Sequence, residues 1–129
     1  MLLALPDSPP STAPRAATAY AASQAGRSQR AQEAEVYATL AGRLRAALRS
    51  GERVATTRAA ADARRLFAVV EELTLHPSCT LPVELRASIV GVARCALREA
   101  DQAEPDLDFL ASVAEDFAAG LTDRPGADP

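Results

Sequence analysis

Apolar residues along this chain return every three or four positions, the spacing of one face of an α-helix. Val36, Leu40, Leu44, Ala47 and Leu48 make one stripe, bordered by Tyr37 and Ala41. They predict a helix from about Ser28, a good N-cap, to Ser50, with Gly51 as a left-handed stop. A second helix begins between Glu52 and Thr57 and runs to about Leu75. Alanine makes its first half smooth, and Leu66, Phe67, Val70, Leu73 and Thr74 make its second half apolar. A third runs from Pro82 to Ala100 with Leu85, Ile89, Val92, Ala93, Ala96 and Leu97 on its stripe. Val90 widens that stripe to an arc that suits two neighbours. Gly91 is costly inside a helix and implies close packing there. A fourth helix starts near Pro105, with Asp106 and Asp108 in its first turn, and carries Leu107, Leu110, Val113, Ala114, Phe117 and Leu121.

The second and third helices meet at a corner, Leu75 to Ala87. His76 suits the negative end of a helix, Pro77 cannot continue it, and Pro82 with Glu84 restarts it. Before Ser28 the pattern fades. Pro6 to Pro14 holds four prolines among Ser, Thr and Asp and reads as a flexible tail. Arg15 to Gln24 could form a short helix, interrupted at Gly26. No segment alternates with period two, and no repeat of 20 to 50 residues is present. The expected architecture is all-α: a small antiparallel bundle of about four helices over residues 16–121, with a disordered Pro-rich tail at 1–15 and a flexible tail at 122–129.

Composition sharpens this. At 129 residues the chain has room for one small domain. Aromatic residues are 4% of it and tryptophan is absent, so the core must be thin and rich in alanine. Stability should be modest, with a partner supplying part of the buried surface. The net charge of −3 argues against general nucleic-acid binding. Every basic side chain is arginine, which fits a G+C-rich genome. Seven arginines lie between Arg43 and Arg65 against two acids, and nine acids from Glu99 onward face Arg124 alone. One part is therefore basic and the other acidic.

The residues offer no catalytic set. Cys79 and Cys95 are too far apart for a CxxC motif, and one histidine completes no zinc site. His76 reads as a structural group beside a proline. Glu71–Glu72 and Glu115–Asp116 are sequence neighbours and point to different sides of a helix. No phosphate loop, GxSxG or HExxH pattern occurs. No cofactor, metal or enzymatic activity is expected. The apolar Met1–Leu5 run is too short for a signal peptide, and nothing approaches a membrane span, so the expected location is the cytoplasm.

Several short runs resemble one family: Ala19-Tyr20, Glu33-Ala34-Glu35-Val36-Tyr37, Arg43-Leu44, Arg65-Leu66-Phe67, Leu81-Pro82-Val83-Glu84-Leu85-Arg86-Ala87-Ser88-Ile89 and Gly120-Leu121. Together they are similar to the FlaF family of flagellar biosynthesis regulators, over roughly Ala16 to Leu121. The family commonly has tryptophan where this chain has Phe67. The resemblance implies a small helical cytoplasmic protein that binds flagellin as a secretion chaperone and couples its synthesis to export, acting with a FlbT-like regulator. The expected grip is on a helical terminal segment of flagellin. Phe67, Val70, Leu81, Leu85 and Ile89 would shape the groove, with Arg64, Arg65, Glu84 and Arg86 on its rim. Each of these apolar positions also reads as ordinary core. The alternative is a regulator that binds flagellin mRNA through the Arg43–Arg65 face, which the absence of lysine and of stacking aromatics disfavours.

Overall fold

The computed structural model describes residues 12–122, and all regular structure among them is helical: α1 (Thr12–Ser50), α2 (Arg53–Leu75), α3 (Val83–Ala100) and α4 (Leu107–Thr122). The chain runs up, down, up, down. α1 packs along α4 and α2 along α3, while α1–α2 and above all α3–α4 touch over shorter stretches. The expected all-α bundle is present.

Each boundary has a local cause. Gly51, at φ +68°, closes α1 by returning its N–H to Ala47 O at 3.1 Å. Ser50 Oγ accepts the Glu52 N–H at 3.1 Å and donates to Ala47 O, so both N–H groups of the two-residue link are bonded. Pro82 sits at the N-cap of α3, and Arg86 N–H donates to its carbonyl at 2.9 Å. Asp106 caps α4: its Oδ1 accepts the Phe109 N–H at 3.0 Å, and its own N–H donates to Glu99 Oε2 at 2.8 Å. At the corner His76 is the C-cap of α2, its backbone N–H donating to Leu73 O at 3.3 Å. Its Nδ1 accepts the Ser78 N–H at 3.1 Å, so the ring also organises the following turn.

α1 departs from the expectation most. It is a single helix of 39 residues, roughly 58 Å at 1.5 Å per residue. Gly26 does not interrupt it, and Ser28 is an interior position rather than an N-cap. One glycine in a helix costs only about 1 kcal/mol, and the alanines on either side propagate the helix well once the bundle has nucleated it. Residues 12–15, read from the sequence as tail, form the start of α1. A proline in the first turn loses an N–H that has no intrahelical partner anyway. Residues 1–11 and 123–129, which hold most of the two expected tails, lie outside the described residues.

The core is thin, as its composition requires. Of nineteen buried hydrophobic residues among those described, eleven are alanine. Phe67, Leu44 and Leu110 are the largest fully buried side chains. Phe117 of α4 bridges them, with its ring 5.2 Å from Tyr37 of α1 and 5.7 Å, edge-on, from Phe67 of α2. Outside the core the seam of α1 and α4 is held by Arg45. Its guanidinium donates to Asp108 Oδ1 at 2.6 Å and to both oxygens of Glu115 at 2.9 Å. These bonds hold the Glu115 carboxyl below its usual range and raise the already high Arg45. Tyr37 is pushed up chiefly by burial and secondarily by Glu33.

Candidate functional site

The apolar surface decides where a site can be. Among the described residues eight large hydrophobic side chains are buried and twelve stand exposed. Single exposed hydrophobes are ordinary, but here most belong to two continuous strips.

The first strip is a trough of about 500 Å³ between α1 and α2, on the side away from Phe117. Its floor is Leu40, Leu66, Val36 and Val69, and Leu73 extends the same line of α2 toward the corner. Val36 is 52% exposed, Val69 47% and Leu73 64%. The α1 stripe is thus rotated from the expected one. Leu40, Leu44 and Ala47 are buried with Ala34 and Ala41, whereas Val36 and Leu48 face out. α2 carries two parallel lines. Phe67, Val70 and Thr74 go to the core, where Thr74 Oγ1 donates to Val70 O, and Leu66 and Val69 line the trough, with exposed Leu73 one turn further along the same line. Gln32, Glu35, Arg43, Asp62 and Arg65 form the rim. Arg43 and Arg65 both pair with the single carboxylate of Asp62.

The second strip is the start of α3. Leu81, Val83, Leu85 and Val92 are exposed and Ile89 is half-buried. The wide apolar arc of α3 is therefore not covered on two sides. Val90, Ala93, Ala96 and Ala100 face inward, and the other flank meets solvent. Nothing approaches Gly91 either, because a β-carbon built there meets open space. The expectation of close packing at that glycine is wrong.

The nine residues expected to make one groove do not lie together. Phe67 and Val70 belong to the core, Phe67 with no exposed surface, so neither can touch a partner. Leu81, Glu84, Leu85 and Ile89 share the α3 strip. Arg64 lies at the other end of α3, donating to Asp101 Oδ1 at 2.7 Å and to Ala100 O. Arg65 is on the trough beside Asp62. Arg86 turns partly inward, and its Nε is buried without a partner among the described groups. The separation has a simple cause. Arg64 and Arg65 are about 100° apart around α2, so adjacent arginines point to different flanks of the helix, Arg64 toward Asp101 and Arg65 toward the trough.

A larger hollow, of about 660 Å³, lies between the start of α2 and the α3–α4 link. Arg53, Thr56, Arg64, Asp101 and Glu104 line it. Its walls are polar, and the Arg64–Asp101 pair already neutralises part of them.

A two-pair helical bundle with an open trough on α1–α2 is the scaffold on which the family comparison can be placed. A sequence model of the flagellar protein FlaF matches residues 16–121, which take in all of the bundle but the first turn of α1 and the last residue of α4. The chain belongs to the FlaF family. Neither a curated protein nor a solved structure matches it. For a FlaF protein the exposed trough residues Val36 and Val69, and Leu73 one turn beyond them on α2, are the ones that the sequence pattern placed inside or passed over. A doubled i, i+3, i+7 pattern on α2, one line more than a core needs, was the available signal. No helix among the described residues is long and apolar enough to cross a membrane.

Proposed function

We propose that this FlaF-family protein is a non-catalytic, cytoplasmic chaperone of flagellin, which holds a helical terminal segment of flagellin in the α1–α2 trough and so couples flagellin synthesis to export. The observation that carries this reading is the trough itself: aliphatic side chains in line on two adjacent helices, open to solvent, in a chain of a flagellar family. An amphipathic segment would lay its i, i+3, i+4, i+7 face there and cover Val36, Val69 and Leu73. A contact of about 800 Å² per partner suffices for a specific complex. The α3 strip around Leu81 and Leu85 offers a second apolar surface for a FlbT-like regulator.

Direct binding of flagellin mRNA has less support. Arg43, Arg45, Arg64 and Arg65 are each paired with a carboxylate of the bundle, so four of the seven arginines of the basic stretch are already engaged. Phosphate binding would have to displace those acids.

Calorimetric titration with flagellin tests the proposal. Wild-type protein is expected to bind, and Val69→Asp to bind at least ten-fold more weakly while keeping its helical circular dichroism. Equal affinity of the two would place the grip elsewhere, and absence of heat with both proteins folded at tens of micromolar would end the chaperone reading.

A further inference from the structure

The charges that line the trough are complementary to themselves. There are four: Glu35, Arg43, Asp62 and Arg65. Arg43 and Arg65 share the one carboxylate of Asp62 and keep 65% and 72% of their side-chain surface exposed. That cluster therefore holds one guanidinium more than it has carboxylates. Glu35 is exposed and in no ion pair among the described residues, so it is a carboxylate without a guanidinium. Thr39, exposed and uncharged, lies midway between Glu35 and Arg43 on α1. Each of the two charges is four residues from it, roughly 6 Å along the helix. Val36, Thr39 and Arg43 share one face of α1, and exposed Val69 lies beside them on α2.

We infer that in the free protein a second copy of the chain covers the trough. The two troughs face each other across a two-fold axis at the level of Thr39, with the two α1 helices antiparallel. In such a pair the residue four before the centre on one helix is level with the residue four after it on the other. Glu35 of each copy then stands beside Arg43 of the other, twice by symmetry. The second copy supplies the carboxylate that the arginine cluster lacks, and Val36 and Val69 of both copies leave solvent. Parallel helices in register would set Glu35 against Glu35 and Arg43 against Arg43, so charge selects the antiparallel arrangement. The ten residues that line the trough are fewer than the about 20 to 30 a side of a standard interface, so the dimer is weak, with a dissociation constant on the order of 100 µM. Such a contact hides the apolar floor and yields it to a tighter partner. It shares the trough with the proposed flagellin contact but does not depend on it.

Sedimentation equilibrium of the full-length chain from about 5 to about 500 µM tests the inference, with reductant present because Cys95 is exposed. The wild type is expected to pass from monomer to dimer over that range. Glu35→Arg and Arg43→Glu each set like charges at both symmetric contacts. Each variant should dimerise at least about ten-fold more weakly at low salt, while keeping its helical circular dichroism. In an equimolar mixture of the two, the altered position of each faces the altered position of the other, and the native charges face likewise. Both contacts regain opposite charges, and the mixture should dimerise about as tightly as the wild type. A wild type still monomeric at the highest concentration would overturn the inference. So would a dimer indifferent to both reversals, or folded variants whose mixture stays monomeric. No flagellin is present in the measurement, so each of these failures leaves the docking proposal standing.

Discussion

At the scale of single residues, two glycines separate backbone need from habit. Gly51 holds φ +68°, a conformation that costs any residue with a β-carbon, and it satisfies the end of α1. Gly91 is in the middle of α3 with an ordinary helical backbone and empty space where a β-carbon would go. Gly51→Ala is therefore expected to destabilise the bundle by about 1 kcal/mol, and Gly91→Ala to stabilise it by up to about 1 kcal/mol. Urea unfolding followed by circular dichroism measures both, and a loss of stability in Gly91→Ala would mean that something does pack there. Arg86 gives a second contrast. Its Nε is buried and unpaired, so Arg86→Met removes an unsatisfied donor and keeps the apolar stem. The expected change is neutral or stabilising. A clear loss of stability in the same unfolding assay would show that the guanidinium is held by an interaction the free fold does not display.

At the scale of elements, the sequence announces α2, α3 and α4 because each end is punctuated. Gly51, Pro82 and Asp106 force stops or supply caps, and local chemistry of that kind is visible in a single sequence. The face each helix buries is harder to read. Alanine fits a core and a surface equally well, so in α1 a stripe through Val36 and one through Tyr37 and Ala41 are both consistent with the pattern. Only the neighbours decide, and Phe117 draws Tyr37 inward and leaves Val36 on the trough. The exposure of the expected groove residues was unevenly legible for the same reason: Leu81 and Leu85 are exposed and Ile89 is half-buried against the core, whereas Phe67 and Val70 complete it. Among the described residues of α1, Ala34 is the first buried one, so the part before it adds little to that core. Removing residues 1–30 should change the unfolding free energy by no more than about 0.5 kcal/mol, which thermal melting of the truncated chain measures. The α1–α4 seam has a pH signature. Arg45 holds Glu115 below its ordinary value of 4.5, so the stability from this pair is present above that pH and is lost as the pH falls through the lowered folded-state value. Stability measured against pH should therefore drop more steeply below about 4.5 in wild type than in Glu115→Gln.

At the scale of the whole molecule, the ratio of inside to outside is the informative quantity. With eight large hydrophobic side chains buried and twelve exposed among the described residues, the helices complete only part of the burial their own apolar side chains make possible. A helix laid in the trough would cover Val36, Val69 and Leu73 and act as a missing fifth element. If flagellin binds only the folded state, stability must rise with its concentration, by about 2.7 kcal/mol at a hundred times the dissociation constant. For a chain of this size each kcal/mol moves the melting temperature by several degrees, so the rise should be on the order of 10 °C or more. Val69→Asp separates this from a general effect of crowding or of ions. The substitution places a charge on an already exposed position, so the free protein should melt near the wild-type temperature, whereas the rise on adding flagellin should largely vanish. A wild-type melting temperature indifferent to saturating flagellin would mean that the open apolar face serves some other contact. A full rise in Val69→Asp would move the contact to the strip on α3, where Leu85→Asp is the corresponding substitution.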